Sequence, residues 1–214
     1  MAHGKFITFE GGEGSGKSTQ SRLLAERLRA RGLDAVLTRE PGGSPFAEVL
    51  RSLILDAATP PHSALAEALL FFAARADHLE KVVRPALAAG RWVICDRFTD
   101  STRVYQGDAG KVPMATIDAL ETIVVEPTVP DLTLIVDLDP REGLARVSGR
   151  SADAASDAYE KRDRAYHERL RFGYLALAAA EPGRCVVIDG AKSLNEVTAA
   201  IWAAVEGRLF AGAS

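Results

Sequence analysis

The chain has 214 residues, of which 47% are hydrophobic and 26% charged, and its formal net charge is −3. This length is enough for one domain with a large core, and the composition is that of an ordinary globular protein. The slight negative charge and the lack of a basic block do not favour nucleic acid as a partner. No apolar run of the sequence approaches the about twenty residues of a membrane span, so we expect no membrane partner.

Strand-like apolar runs and helical patterns alternate along the chain. Strands are predicted at 6–9, 35–38, 92–95, 132–138 and 185–188, and helices at 17–31, 45–57, 64–89, 114–125, 140–147, 157–180 and 193–209. Continuously apolar strands joined by helical crossovers are typical of a parallel sheet covered on both faces. We therefore predict an α/β fold, with a five-stranded parallel sheet and helices on both faces, in a single domain over residues 1–214.

A glycine-rich segment, GGEGSGKS at 11–18, lies between the first strand and the first helix. Strand, glycine loop and helix in this order form the P-loop unit, whose backbone N–H groups surround phosphate oxygens. In that unit Lys17 reaches the β- and γ-phosphates and the Ser18 hydroxyl binds Mg²⁺. A glycine turn without a ligand is the alternative, but the complete pattern favours a nucleoside triphosphate site. The predicted members of this site are Gly11, Gly12, Glu13, Gly14, Ser15, Gly16, Lys17, Ser18 and Thr19.

The second strand leads into TREPGG at 38–43. On its own, the pair of Arg39 and Glu40 is most simply a solvated ion pair in a Pro-Gly turn. Arg51 follows on the next helix, at the edge of an apolar face, where arginine often only extends its stem over the surface. Two arginines beside a P-loop would instead suit a second phosphate group, which guanidinium binds as a fork.

The long helix predicted at 64–89 carries Phe71 and Arg75, four residues apart and hence on one face. They are either a core ring with an arginine that reaches solvent, or a platform for a flat ring with a donor to a ring carbonyl. The residues alone leave these two interpretations about equal.

The third strand ends at Asp96 and Arg97, an acidic residue suited to support Mg²⁺ beside a P-loop and a candidate phosphate clamp. Ser101, Thr102 and Gln106 follow at positions about one helical turn apart and could contact the edge of a base; a capped helix start is the alternative. Open α/β sheets bind ligands at the carboxyl ends of their strands. We therefore expect these groups to share one cleft with the P-loop.

Cysteine and histidine usage suggests no further chemistry. Cys95 and Cys185 lie in strand-like runs without partners at metal-ligand spacing, which predicts reduced thiols in a cytoplasmic protein. We expect no secretory signal, because a strand follows almost at once after the first residues. The histidines cluster with no nucleophile and receive no catalytic role; they are His3, His62, His78 and His167.

Several motifs occur in a fixed order over nearly the whole chain: FEGGEGSGKS at 9–18, TREPGG at 38–43, FFAAR at 71–75, DRFTDSTRVYQG at 96–107 and PDLTL at 130–134. This set resembles bacterial thymidylate kinases, P-loop nucleoside monophosphate kinases. The resemblance implies transfer of the γ-phosphoryl group of ATP to dTMP, giving dTDP and ADP. It also implies Mg²⁺ as a cofactor and a homodimer.

The resemblance further implies residue roles. Glu13 corresponds to a carboxylate at the sugar 3′-hydroxyl, Phe71 to the ring that stacks on thymine, and Tyr105 to a tyrosine beside the 2′ carbon. The residues that correspond to positions around the dTMP phosphate are Arg39, Arg51 and Arg97, and those that correspond to positions at the base edge are Arg75, Thr102 and Gln106. Pro41 and Ser101 complete the predicted substrate site, and Ser18 and Asp96 form the predicted metal site. Lys17, Arg97, Glu13 and a lid arginine are the predicted catalytic set.

A mobile lid is expected at about 146–160, and here the chain departs from the family pattern. Ala158 stands where the family usually has an arginine. Arg150 is then the candidate clamp for the transferred phosphoryl group, and a solvated surface arginine is the equal alternative. The resemblance also associates Arg146 and the loop 190–192 with adenine.

Other P-loop classes remain as alternatives. A kinase for another small molecule or nucleoside monophosphate is the nearest. A GTPase would need an Asn-Lys-x-Asp guanine reader, and Asn195, in a Leu-Asn-Glu context, is the only asparagine of the sequence. An ATPase that drives a partner protein would normally need an extra module. For the homodimer, the helix 64–89 offers an apolar face with Leu79, Val82 and Val83, which the core would explain equally.

Overall fold

The computed structural model describes residues 4–149, Tyr159 and 162–210. Within these residues the strands form one parallel five-stranded sheet in the order β2-β3-β1-β4-β5. The strands are β1 (Phe6–Glu10), β2 (Ala35–Arg39), β3 (Trp92–Asp96), β4 (Leu132–Asp137) and β5 (Cys185–Asp189). All predicted strands are confirmed, with ends that differ by one residue.

The helices that the structure describes are α1 (Lys17–Ala30), α2 (Pro45–Leu55), α3 (Ala64–His78), α4 (Arg84–Ala88), α5 (Thr99–Thr102), α6 (Met114–Val124), α7 (Pro140–Ser148), α8 (Arg164–Ala180) and α9 (Leu194–Val205). Short π-helical segments follow three of them, at Leu79–Val83, Arg103–Ala109 and Glu206–Phe210.

Four helical segments differ from the prediction. The run predicted at 193–209 is α-helix only to Val205 and continues as π-helix from Glu206. The run 64–89 changes from α-helix to π-helix and back, so it is not one regular helix. Helix α8 begins at Arg164 and not at 157, because the Asp163 carboxylate accepts the Tyr166 N–H and caps it. The helical segment 99–109 was not predicted as a helix, because it is short and polar and lacks an apolar stripe.

Helices cover both faces of the sheet, as predicted. Alternate strand residues point to opposite faces, so Ile7 and Ile94 pack with α1 and α9, whereas Phe6 and Val93 pack with α3, α4 and α6. The second layer also contains Leu79 and Val83, which are fully buried. Leu79 and Val83 of the apolar face considered for dimerisation are therefore core of the same chain, whereas Val82 is half-buried.

The carboxyl ends of the central strands are level with one another. Arg39 pairs in register with Asp96, and Asp96 with Phe9, one residue before Glu10. Polar groups that follow β1, β2 and β3 therefore meet at one edge of the sheet, as expected. None of the helices in the described ranges is both long enough and apolar enough to cross a membrane.

Candidate active site

A cleft with a cavity volume of about 260 Å³ opens at this edge of the sheet. The predicted residues that line it are Glu13, Gly14, Gly16, Lys17, Ser18, Thr19, Arg39, Pro41, Arg51, Phe71, Arg75, Asp96, Arg97, Ser101, Thr102, Tyr105 and Gln106. Among the predicted residues that the structure describes, Gly11, Gly12, Ser15 and Arg146 are not part of the lining. Arg150 lies outside the described residues.

The P-loop forms a cradle at the start of α1. Gly16 precedes the helix with φ 98° and ψ 8°, a left-handed conformation that favours glycine. A Cβ at Gly16 would meet no atom within 4 Å, so the cradle is open at this point. No side chain of the described residues caps α1 and its first turn carries no acidic residue, which leaves its N–H groups free for an anion.

Lys17 lies folded over its own loop. Its Nζ donates to the Gly12 carbonyl at 2.6 Å and to Ser15 Oγ at 3.3 Å. Burial and then the cation of Arg97 lower the pKa of Lys17 to about 8. A polyphosphate in the cradle would supply the negative charge that this buried ammonium lacks.

One carboxylate oxygen of Glu13 accepts two hydrogen bonds, one from a guanidinium and one from a phenol hydroxyl. Arg97 Nη2 lies 2.6 Å and the Tyr105 hydroxyl 2.7 Å from Glu13 Oε1. Burial opposes ionisation of this carboxyl, but Arg97 and then Lys17 outweigh it and lower the pKa of Glu13 to about 2. Glu13 is therefore an anion throughout the neutral range, and an acceptor at the wall of the cleft.

Arg97 joins the P-loop to the helix that follows β3. Its Nη1 donates at 3.2 Å to the Gly11 carbonyl, to Ser101 Oγ and to the Tyr174 hydroxyl. Its backbone has φ 68°, a strained conformation for a residue with a side chain. The guanidinium is thus held at a defined position beside the cradle.

The predicted metal pair is in direct contact. The Ser18 hydroxyl donates to Asp96 Oδ2, where the start of α1 meets the end of β3. Hydroxyl and carboxylate oxygens are hard donors that suit Mg²⁺, which usually takes further ligands from phosphates and water. No cluster of three or more His, Cys, Asp or Glu that could hold a metal ion occurs among the described residues.

The far end of the cleft combines an aromatic ring with buried hydrogen-bonding groups. Phe71 lines it beside Arg75, which is 1% exposed and donates to Thr102 Oγ1 at 3.1 Å. Gln106, also 1% exposed, donates to Glu67 at 2.8 Å and to the Tyr159 hydroxyl at 3.4 Å. The sequence did not distinguish a core role from a ligand platform for Phe71 and Arg75. In the structure both residues line the cleft.

The arginines of the second strand end have partners that the sequence did not predict. Arg39 pairs with Glu48 at 3.0 Å and not with its neighbour Glu40, so the expected solvated pair of Arg39 and Glu40 is wrong. Arg51 Nη1 donates to the Pro41 carbonyl at 2.7 Å. Both arginines nevertheless line the same cleft as Arg75 and Arg97.

Known proteins resemble this chain in sequence over nearly its whole length. The sequence model of the family described as Thymidylate kinase matches residues 9–201. The chain belongs to the thymidylate kinase family. It is 54% identical to the thymidylate kinase of Caulobacter vibrioides, over 98% of this chain and 99% of that protein. It is 53% identical to that of Nitrobacter winogradskyi, over 96% of this chain and 89% of that protein.

A crystal structure from the same family has the same fold. Thymidylate kinase from Ehrlichia chaffeensis superposes with a TM-score of 0.77 and 35% sequence identity, covering 95% of this chain and 99% of that one. The five-stranded sheet and the loop between β1 and α1 therefore form the P-loop NTPase fold of thymidylate kinases, as predicted.

Two acidic residues at strand ends, Glu10 and Glu40, were not among the predicted site residues. Glu10, 0% exposed, accepts Phe98 N–H at 2.8 Å, Ser101 Oγ at 2.6 Å and the Tyr174 hydroxyl at 3.1 Å. Burial and then the Asp100 carboxylate raise the pKa of Glu10 to about 7. Glu40 lines the cleft and is also buried. Their positions at the ends of β1 and β2 were the signal that could have identified both.

Arg146 of this family member lies on the last turn of α7 and donates to the Gly190 carbonyl, at 3.3 and 3.4 Å. The two segments associated with adenine are thus adjacent, although Arg146 does not line the cleft described above.

Proposed function

We propose that this protein transfers the γ-phosphoryl group of ATP to dTMP, giving dTDP and ADP. The observation that carries the proposal is a single cleft that is lined by P-loop residues including Lys17, by Arg39, Arg51 and Arg97, and by the ring of Phe71. A donor triphosphate and an acceptor nucleotide can meet there. Family membership favours dTMP over another nucleoside monophosphate as the acceptor.

The donor half would hold ATP through the N–H groups of the P-loop and the N-terminus of α1. Lys17 would leave the Gly12 carbonyl and bind the β- and γ-phosphates. Ser18 and Asp96 would hold Mg²⁺, directly or through water. When bound, the metal supplies positive charge that neutralises the phosphate oxygens during transfer.

The acceptor half would bind dTMP through charge at one end and shape at the other. Arg39, Arg51 and Arg97 would bind its phosphate, while Phe71 would stack on thymine. The ionised Glu13, which already accepts a hydrogen bond from Tyr105, would accept another one from the 3′-hydroxyl group of the sugar. The Tyr105 ring would fill the space beside the 2′ carbon and so disfavour a ribose.

The base edge would be contacted by Arg75, Thr102 and Gln106. Arg75 is a fixed donor, which suits a carbonyl oxygen of the pyrimidine. Ser101 and Pro41 would support this end, Ser101 through Glu10 and Pro41 through Arg51.

The transfer itself would need no general base. A phosphate monoester has a second pKa of about 6, so the acceptor is mostly a dianion at neutral pH. Two strongly negative groups must still meet in line, so the protein contributes position and cations. Arg97 and Lys17 supply two of these, and we assign a third to Arg150 in a lid over 146–160.

For the whole protein we propose a single domain over residues 1–214, a cytoplasmic location and a homodimeric assembly. Free, buried Cys95 and Cys185 are consistent with a reducing compartment. A row of exposed apolar side chains on α2 and α3 supports self-association; it comprises Phe46, Val49, Leu53, Leu65 and Leu69.

The experiment is ADP release from Mg·ATP with dTMP, dUMP, dCMP, dGMP, CMP, UMP and water alone. We expect a preference for dTMP and little release in water. An apolar contact to one methyl group discriminates by only about 1–3 kcal/mol, so dUMP should be a poor but detectable acceptor. Equal turnover of several monophosphates would remove the thymine assignment, and release without an acceptor would identify an ATPase.

A further inference from the structure

A buried series of hydrogen bonds ends at Arg75, the proposed donor to the base. The Arg75 guanidinium is stacked on the rings of Phe72 and Phe98, with centroid distances of 5.0 and 5.2 Å. Its Nε donates to Glu40 Oε2 at 2.7 Å and its Nη1 to Thr102 at 3.1 Å. Within the described residues its Nη2 has no acceptor, although Arg75 lines the cleft, so this donor is available to a ligand.

The Glu40 carboxylate has hydrogen-bond contacts with two different side chains. Oε2 accepts from Arg75, and Oε1 lies 2.8 Å from His78 Nδ1. The side chain of Glu40 is 3% exposed and those of its two partners 1% and 0%. Because each carboxylate oxygen has its own partner, the carboxylate plane is fixed and so is the direction of the Arg75 fork.

His78 is held from its other side as well. Its Nε2 lies 2.7 Å from Thr38 Oγ1, so both ring nitrogens have partners. A Cβ added to Gly43 would lie 2.5 Å from His78 Cδ2, which means that the backbone of the 38–43 turn packs directly on the ring. The hydrogen bonds at both nitrogens, together with this packing, orient the imidazole, which connects β2 to the end of α3.

We infer that His78 is a positioning residue for base recognition: through Glu40, it aims the Arg75 guanidinium at a carbonyl oxygen of the pyrimidine. The inference rests on the proposed function. It adds that His78 sets the preference for a pyrimidine with a carbonyl oxygen at position 4 over one with an amino group there. A donor that cannot turn rejects an amino group, because two donors would then face each other.

Two acceptors isolate this preference. dTMP and 5-methyl-dCMP share the methyl group, the sugar and the phosphate, and differ at position 4 in a carbonyl oxygen against an amino group. A loss of folded protein lowers turnover of both alike, whereas a misaligned Arg75 changes the ratio of their kcat/KM values. The ratio is therefore the readout.

His78→Gln and His78→Asn form a matched pair. An Asn amide can occupy the place of Nδ1 and keep the donor to Glu40, whereas a Gln amide reaches the place of Nε2 and loses it. We expect His78→Gln to lower the dTMP preference by about tenfold, as for one weakened hydrogen bond to a charged group, mainly through KM for dTMP. His78→Asn should keep more of the preference than His78→Gln does.

An unchanged ratio in His78→Gln would overturn the inference and leave His78 a structural residue. If that variant does not fold, Thr38→Val tests the same point, since it removes the hydroxyl on the far ring nitrogen but keeps the branched shape. We expect a smaller decrease of the ratio there, and an unchanged ratio contradicts the inference equally. Wild-type protein that does not phosphorylate dTMP would remove the proposed function instead, in a measurement that precedes all variants.

Discussion

Arg97 contacts both halves of the cleft. It pairs with Glu13 at 2.6 Å, donates to the Gly11 carbonyl and lies over the Tyr105 ring at 5.1 Å. These contacts use the planar fork and not charge alone, and lysine cannot reproduce them. Its neighbour in sequence, Asp96, has the separate role of a metal ligand in the proposed mechanism.

We predict that Arg97→Lys lowers kcat with dTMP by about a hundredfold, the effect of about 3 kcal/mol of lost transition-state contact, while ATP binding remains measurable. Arginine and lysine are both strained at the φ of 68° that position 97 has, so the substitution changes the guanidinium and leaves the backbone strain the same. Steady-state kinetics and nucleotide titration measure the two effects. Arg22→Lys, in an exposed pair with Glu26, is the control and should be neutral. Loss of ATP binding together with turnover would give Arg97 a structural role instead.

Glu10 is the opposite case to Glu13, because its pKa is raised, from 4.5 to about 7. The folded protein therefore binds a proton that the unfolded chain has lost between about pH 4.5 and pH 7. The contribution of Glu10 to stability is complete below pH 4.5 and is lost as the pH rises through 7.

We predict that the unfolding free energy of wild type, relative to Glu10→Gln, falls by roughly 2 kcal/mol between pH 5 and pH 8. Urea unfolding at the two pH values measures this difference, in which the titrating groups that do not interact with Glu10 cancel; Asp100 and Arg97 do interact with it. Glu13→Gln is the control: the pKa of Glu13 is lowered to about 2, so its contribution is present above pH 4.5 and is lost only as the pH falls toward 2. A difference that is flat with pH for Glu10→Gln would contradict the raised pKa.

At the scale of elements, helix α7 lies directly on the P-loop. A Cβ at Gly143 would lie 2.2 Å from the Glu13 carbonyl oxygen, and one at Gly14 would lie 2.1 Å from the Gly143 carbonyl oxygen. The two backbones thus touch at a pair of glycines, and α7 leads toward the proposed lid. Any shift of the helix moves the loop that would hold the phosphates.

We predict that Gly143→Ala raises KM for ATP by about tenfold, because the overpacked contact costs about 1–3 kcal/mol and the P-loop must shift. Helix propensity alone predicts the reverse, a stabilisation of about 1 kcal/mol for this change inside a helix. Gly207→Ala, in the helical segment Glu206–Phe210, is the control, since its Cβ would meet no atom within 4 Å. If Gly143→Ala leaves KM unchanged and raises the melting temperature, the contact does not constrain the loop.

At the scale of the whole molecule, helices α2 and α3 leave apolar side chains exposed. Phe46, Val49 and Leu53 are spaced along one side of α2 and are 53%, 64% and 45% exposed. Leu65 and Leu69 continue the patch on α3, which packs against α2. Apolar surface of this extent marks an interface more often than free solvent contact.

We predict that Val49→Asp converts a dimer to monomers, because a carboxylate at the centre of an apolar interface has no partner. Light scattering after size exclusion measures the mass. Phe172→Asp on α8 is the control, with a single exposed ring of 75%. Dissociation by the control and not by Val49→Asp would move the interface to α8.

Apolar periodicity and glycine spacing were enough to predict the strands, most helices and the P-loop, because both are patterns between near neighbours in the chain. Which side chains meet depends on three-dimensional packing. Arg75 and Glu40 are 35 positions apart, and Tyr174 and Glu10 are 164 apart. Local pattern could not show that Arg39 prefers Glu48, nor that Leu79 belongs to the core, since each outcome depends on how helices dock on the sheet. Burial of charge is decided in the same way: a carboxylate enters the interior only where packing brings its partners to it.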